Sequence, residues 1–245
     1  MAVDYWRDMS ILDGGYELAG HGKSVNLAVS VNPLDTTPLS TSGWVTLIGG
    51  NKSATIDITM MADMAAGFDL HSFTNLGVAD VPKSVVRGTT DGSVAYLMRG
   101  ITLGYTPLEG APGDLAMARI TGQSSTGPLA RGMLIHPSSV ARTSSSTGTG
   151  QQLGAVTATQ RMYVALHVIA ASGTNPTLDV VLQSDDNGSF TTPTSRVTLT
   201  QQTATGGSTF GSVAGAITDD YWRISYTIGG TGSPSFTFAV TAGIL

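Results

Sequence analysis

Residues able to do chemistry are few in this 245-residue sequence, and their spacing brings little of it together. Ala19-Gly20-His21-Gly22-Lys23-Ser24 ends like a phosphate-cradling loop, but Glu17 stands where the first glycine of G-x-x-x-x-G-K-[ST] belongs, and a carboxylate there repels phosphate. The stretch reads as a turn entering a strand. Asp185-Asp186-Asn187-Gly188 resembles part of a calcium loop, yet no glutamate follows at the twelfth position and its flanks read as strands, so a hairpin turn is the better reading. Asp219 and Asp220 precede Tyr221 and Trp222. Neighbouring side chains on a strand point to opposite faces, so these carboxylates do not cooperate across one glycosidic bond.

The four histidines, His21, His71, His136 and His167, never show the i, i+2 or i, i+4 spacing of a local metal pair. No G-x-S-x-G elbow is present, and the absence of cysteine removes thiolate nucleophiles, disulfides and cysteine-ligated metals. Met60, Met61 and Met64 read as filling in a core or an interface. No catalytic, cofactor-binding or metal-binding residue is assigned, and the chain reads as a non-enzyme.

The elements that would position any site come next. Thirty-one glycines and an abundance of threonine and serine favour many short strands and turns, and charged residues make up only 12%. A net charge of -5 argues against a protein that grips nucleic acid by neutralising phosphates. The deficit lies in residues 1–123, which hold seven basic and twelve acidic side chains against five of each beyond them. The opening residues lack the basic and apolar regions of a signal peptide, and no apolar run reaches membrane-spanning length, so a soluble cytoplasmic primary product is expected.

Residues 1–13 read as an N-terminal arm and 14–136 as a first β unit. Within it, Val25, Leu27 and Val29 alternate on one strand. Trp44 to Ile48 and Ala54 to Met60 are predicted to form a hairpin about Gly49-Gly50-Asn51-Lys52. A helical insertion is expected at about 61–87, with Asp80 capping a short helix that has Pro82 in its first turn. Residues 137–154, almost wholly small and polar, read as a flexible loop or linker, and 155–245 as a second β unit with separate strands at 161–171, 177–183, 196–202, 221–228 and 235–241. Placing Ile56-Asp57-Ile58 on Leu178-Asp179-Val180 also puts Thr55 on Thr177 and Asp63 on Asp185, and further on, past the extra residues of the helical insertion, Arg119-Ile120 falls on Arg223-Ile224, an order that fits either a duplicated β unit or chance likeness among Thr-rich strands.

Four phrases in order, ILDGGYELAGHGKSVNLAVSVNPLDTTPL, PGDLAMARITGQSSTGPLARGMLIHP, TLDVVLQSDDNGSF and AITDDYWRISYTIGGTGSPSFTFAVTAGIL, resemble the major tail tube proteins of long-tailed (siphovirus-type) bacteriophages. The resemblance spans most of the chain and contains no catalytic signature. It implies a β-sandwich with a short flanking helix, whose inner sheet joins its neighbours in a ring-shaped β-barrel. Such rings, hexameric by the resemblance, or trimeric and pseudo-hexameric if the internal duplication holds, stack into a hollow tube that conducts DNA during ejection without binding it specifically. The implied partners are further copies and other tail proteins at the tube ends, with no membrane insertion by this chain, and the implied place is the virion tail after synthesis in the host cytoplasm. The competing reading is a virion decoration or carbohydrate-binding β-sandwich, for which Trp222 beside Tyr221 offers an aromatic platform.

Alternation sets Thr55, Asp57 and Thr59 opposite the apolar face of Ile56, Ile58 and Met60, and the duplicate sets Thr177 and Asp179 on the matching face. These five are the lumen-lining candidates. A polar, acidic lining keeps a duplex sliding, although the outer face of a sandwich would show the same pattern.

Overall fold

The computed structural model describes residues 8–18, 20–38, 43–63 and 67–245. Its first half contains β1 (Met9–Asp13), β2 (Tyr16–Glu17), β3 (Gly22–Asp35), β4 (Leu47–Met61), α1 (Phe68–Thr74), β5 (Val81–Arg87), β6 (Val94–Glu109), β7 (Met117–Ser124) and β8 (Ala130–His136). The second half contains β9 (Ser146–Thr147), β10 (Gln151–Gln152), β11 (Arg161–Asp185), β12 (Thr194–Thr198), β13 (Ser208–Ala214) and β14 (Tyr221–Ile244). The protein is mainly β, with one short helix among the described residues. Of the expected arm, residues 1–7 lie outside the described residues, as does Met64, while Met9–Asp13 pairs with β5.

All fourteen strands belong to one antiparallel sheet that does not close on itself. Its main path runs β12-β11-β14-β8-β6-β5-β1-β2, and a branch continues from β6 through β7 and β4 to β3. Alternation explains the cores. In β4, Ala54, Ile56, Ile58 and Met60 are buried while Thr55, Asp57 and Thr59 are half-buried on the other face, and Ile120 and Val85 complete that core. In the second half Leu178, Val180 and Leu182 meet Ile224, Phe236, Phe238 and the fully buried Trp222. Leu12, Val86, Ala95, Leu134 and Ala239 form a smaller cluster where the halves join. The short strands β9 and β10, within residues 137–154, both pair with β14.

Several boundaries differ from the sequence reading, each for a physical reason. Gly49 to Lys52 do not turn. They continue β4 and pair with β3 as Gly49↔Pro33 and Lys52↔Val31, so the hairpin turn falls between Asp35 and Leu47. Gly50 is needed there because a β-carbon would lie 2.6 Å from the Asn32 carbonyl oxygen.

The helix forms at Phe68–Thr74, after Gly67 in the left-handed region (φ 72), rather than at Asp80. Asp80 is itself left-handed (φ 67) and accepts a hydrogen bond from Thr126, and the Val-rich segment after it enters the sheet as β5. The segments 161–171 and 177–183 are one strand, as are 221–228 and 235–241, because register shifts about Ser172–Thr177 let the ladder bend without breaking.

Candidate assembly and lumen surfaces

The polar face of β4 is a grid built by cross-strand register. Ser24, Thr59 and Arg119 form one row across β3, β4 and β7, Asn26, Asp57 and Thr121 the next, and Ala28, Thr55 and Gln123 the third. Asp57 Oδ1 lies 3.7 Å from Arg119 Nη2, diagonal to it. At this partly exposed position such a pair contributes little stability but leaves the face nearly neutral and densely hydrogen-bonding.

Thr177 and Asp179 occupy the equivalent, solvent-directed face of β11, opposite Gly229 and Thr227. Asp179 accepts from Gln201 Nε2 through both oxygens, at 2.9 and 3.0 Å. The five candidates thus lie on polar faces in two groups. The groups are not adjacent, since β7, β6, β8 and β14 intervene between β4 and β11. Ile58 stands opposite Ile120 in the first ladder, whereas Val180 stands opposite Tyr226 in the second, so under the proposed superposition the two ladders differ in register by two residues.

The second surface is apolar. The β3–β4 hairpin extends past the sheet, and among the described residues β3 pairs only with β4, which leaves its other edge open there. On this hairpin Val29, Val31, Leu34, Trp44, Val45, Leu47 and Ile48 are all exposed, with Trp44 at 83%. Only interrupted alternation in residues 29–48 pointed to this surface, because sequence pattern does not reveal whether a strand has a partner on both faces. A smaller exposed apolar group comprises Leu70 and Phe73 on α1 and Leu76 and Val78 just after it.

The remaining chemical candidates are held separately. Asp219 accepts from Ser184 Oγ at 2.6 Å and Arg196 Nη2 at 2.8 Å, and these bonds keep its carboxyl below the ordinary range. Asp220 instead accepts from Gln152 Nε2 at 2.6 Å. Asp185 receives the Asn187 and Thr192 backbone N–H groups, which closes a tight turn. His21 approaches Asp63 at 3.5 Å, His71 packs tilted against Tyr16, and His136 stacks on Phe238. Among the described residues no three metal-ligating side chains gather, and no helix is long and apolar enough to cross a membrane. Trp222 does not form a sugar platform. It is fully buried and donates its indole N–H to the Gly154 carbonyl at 2.9 Å.

No family model matches this chain, and no curated protein does. The solved structures it is similar to include chains of virions and tails and of extracellular contractile injection systems. One is a chain of the native gene transfer agent virion, 17% identical over 53% of this chain and 98% of that one, with a TM-score of 0.43. Another is the SPP1 tail tube, at 13% identity, 48% and 73% coverage and a TM-score of 0.38. A third is the SPP1 Dit protein, described as a paradigm of the hub adsorption apparatus of phages infecting Gram-positive hosts, at 12% identity, 98% and 100% coverage and a TM-score of 0.37. The surfaces above, rather than these distant likenesses, support the reading that follows.

Proposed function

We propose that this chain is a structural subunit of a phage-type tail tube, in which copies join into stacked rings around a channel that conducts DNA during ejection. The observation that carries the reading is the β3–β4 hairpin. A long open edge strand beside seven exposed large apolar side chains is a strong aggregation hazard for a free monomer and a ready docking element for an obligate oligomer. A ring of copies covers that edge and shields those side chains. A head-to-tail contact that closes by rotation gives rings, and their stacking gives a tube.

On this reading the polar faces carrying Thr55, Asp57, Thr59, Thr177 and Asp179 line the channel. Cross-linked by Arg119 and Gln201, they offer a passing duplex hydrogen-bonding surface with no clustered positive charge, so counterions stay with the phosphates and friction is low. The virion tail is the corresponding location, and proteins at the tube ends the further partners. The carbohydrate-binding alternative loses its platform with Trp222 in the core.

Electron microscopy of the purified chain tests the proposal, with native mass measurement of isolated rings distinguishing three copies from six. Rings or tubes are the expected result. Dispersed monomers across a concentration series that reaches millimolar would overturn it.

A further inference from the structure

The two parts of the sheet are joined by a buried line of hydrogen bonds whose direction is fixed by its end group. The carbonyl oxygen of Gly14, just after β1, can only accept, so the His167 Nδ1 that faces it carries the hydrogen. His167 Nε2 therefore presents a lone pair, and the Ser84 hydroxyl on β5 donates to it at 2.9 Å. The Ser84 oxygen in turn accepts from the Thr241 hydroxyl on β14, also at 2.9 Å. Each of these three contacts links the first half of the chain to the second. His167, Ser84 and Thr241 are all essentially inaccessible to water.

The surrounding charges are specific. Lys83, next to Ser84, donates to Asp13 Oδ1 at 2.6 Å and to Thr102 Oγ1 at 3.0 Å, both partners being buried with it. Asp13, next to Gly14, is thus already engaged by an ammonium. The His71 ring lies against Gly14 from α1, where a β-carbon on Gly14 would stand 2.9 Å from Cε1. On its own strand ladder His167 faces Ser208 of β13 and Ala239 of β14, neither of them charged.

A second proton on His167 would turn Nε2 from acceptor to donor, force the Ser84 and Thr241 hydroxyls to reverse, and place a cation where the nearest carboxylate is committed to Lys83. We infer that His167 is a proton-operated latch: neutral, it closes the contact of β1 and β5 with β11 and β14, and protonated, it releases that contact. Burial, the main cause, holds its pKa down at about 4 in the closed form, against about 6.5 for an imidazole freed into water. The open form therefore binds the proton first, and linkage makes opening roughly 40-fold more favourable at pH 4.5 than at pH 6.5. The inference is independent of the tube reading.

Hydrogen exchange on the intact chain, corrected for the intrinsic pH dependence of exchange, tests it. Peptides from 81–87 and 161–171 are expected to lose roughly 40-fold protection between pH 6.5 and 4.5 while 177–185 holds. In His167→Asn, whose amide can donate to Gly14 and accept from Ser84 without titrating, that loss should vanish. Equal losses in both proteins, or none in the wild type, would overturn the latch. Should His167→Asn fail to fold, nitrogen NMR of the wild-type imidazoles decides instead: the Nδ1–H tautomer at neutral pH is required, and an Nε2–H tautomer refutes it.

Discussion

Deleting the Asp13 carboxylate strands the most deeply buried cation among the described residues, since the Lys83 side chain is 1% exposed and that of Asp13 4%. At 2.6 Å and an effective dielectric near 20, their attraction is about 6 kcal/mol, and the desolvation of two ions, several kcal/mol each, offsets most of it. The pair is therefore close to neutral in net stability, whereas either half alone is expensive. Asp13→Ala is expected to cost about 3–5 kcal/mol, a large share of the total of roughly 5–15 kcal/mol for a folded domain. The double variant Asp13→Ala/Lys83→Met, which buries no charge and keeps an apolar stem over Gly100 and Gly122, should recover to within about 1–2 kcal/mol of wild type. Equilibrium urea unfolding followed by the emission of buried Trp222 measures all four corners of the cycle. A single-variant cost below about 1 kcal/mol, or a double variant as unstable as the sum of the singles, refutes the reasoning.

Three further outcomes are expected. Replacing Leu47 and Ile48 together with Asp should abolish tubes seen by microscopy while shifting the thermal midpoint of the monomer by no more than a few degrees, because both side chains are exposed within one copy. His136, stacked on Phe238 with ring centroids 4.5 Å apart, has its pKa lowered by burial to about 4. Its neutral form therefore contributes stability that is complete above pH 6.5 and declines as pH falls towards 4, by about 2 kcal/mol at pH 5; His136→Phe should flatten the pH dependence of the urea midpoint by that amount, and an unchanged slope would exclude it. If Asp57 lines the channel, Asp57→Lys in every subunit sets rings of positive charge against the phosphates and should slow DNA ejection at low salt from tails of normal length. Unaltered kinetics would remove Asp57 from the lining, and failed assembly would place it at an interface.

What could be read from sequence was set by local alternation. The run from Ala54 to Met60 has its buried and polar faces where period-two spacing puts them, because one face meets a core and the other does not. Turn chemistry misled where a ladder partner outweighed it, as at Gly49-Gly50, and β-branched content outweighed a helix cap at Asp80. Trp222 beside Tyr221 reads as a surface platform, yet its strand is flanked by β11 and by β9 and β10, which no local pattern reveals. Lys83 and His167 were beyond sequence reasoning for a related reason. Their partners Asp13 and Gly14 are 70 and 153 residues away, and a lysine in a strand ordinarily signals a solvated face.

The placing of β14 sets the timing of folding. It is the last strand of the sequence, yet it lies inside the sheet, with β11 along one side and β8 on the other. A ribosome that has delivered residues 1–220 has made both flanking strands but not the one that joins them, so neither edge can be satisfied within the chain. Pairs such as Arg131↔Ile244 close across most of the second half, and a topology dominated by contacts so distant in sequence folds slowly, in milliseconds to seconds. The joined sheet is thus available only after synthesis of β14.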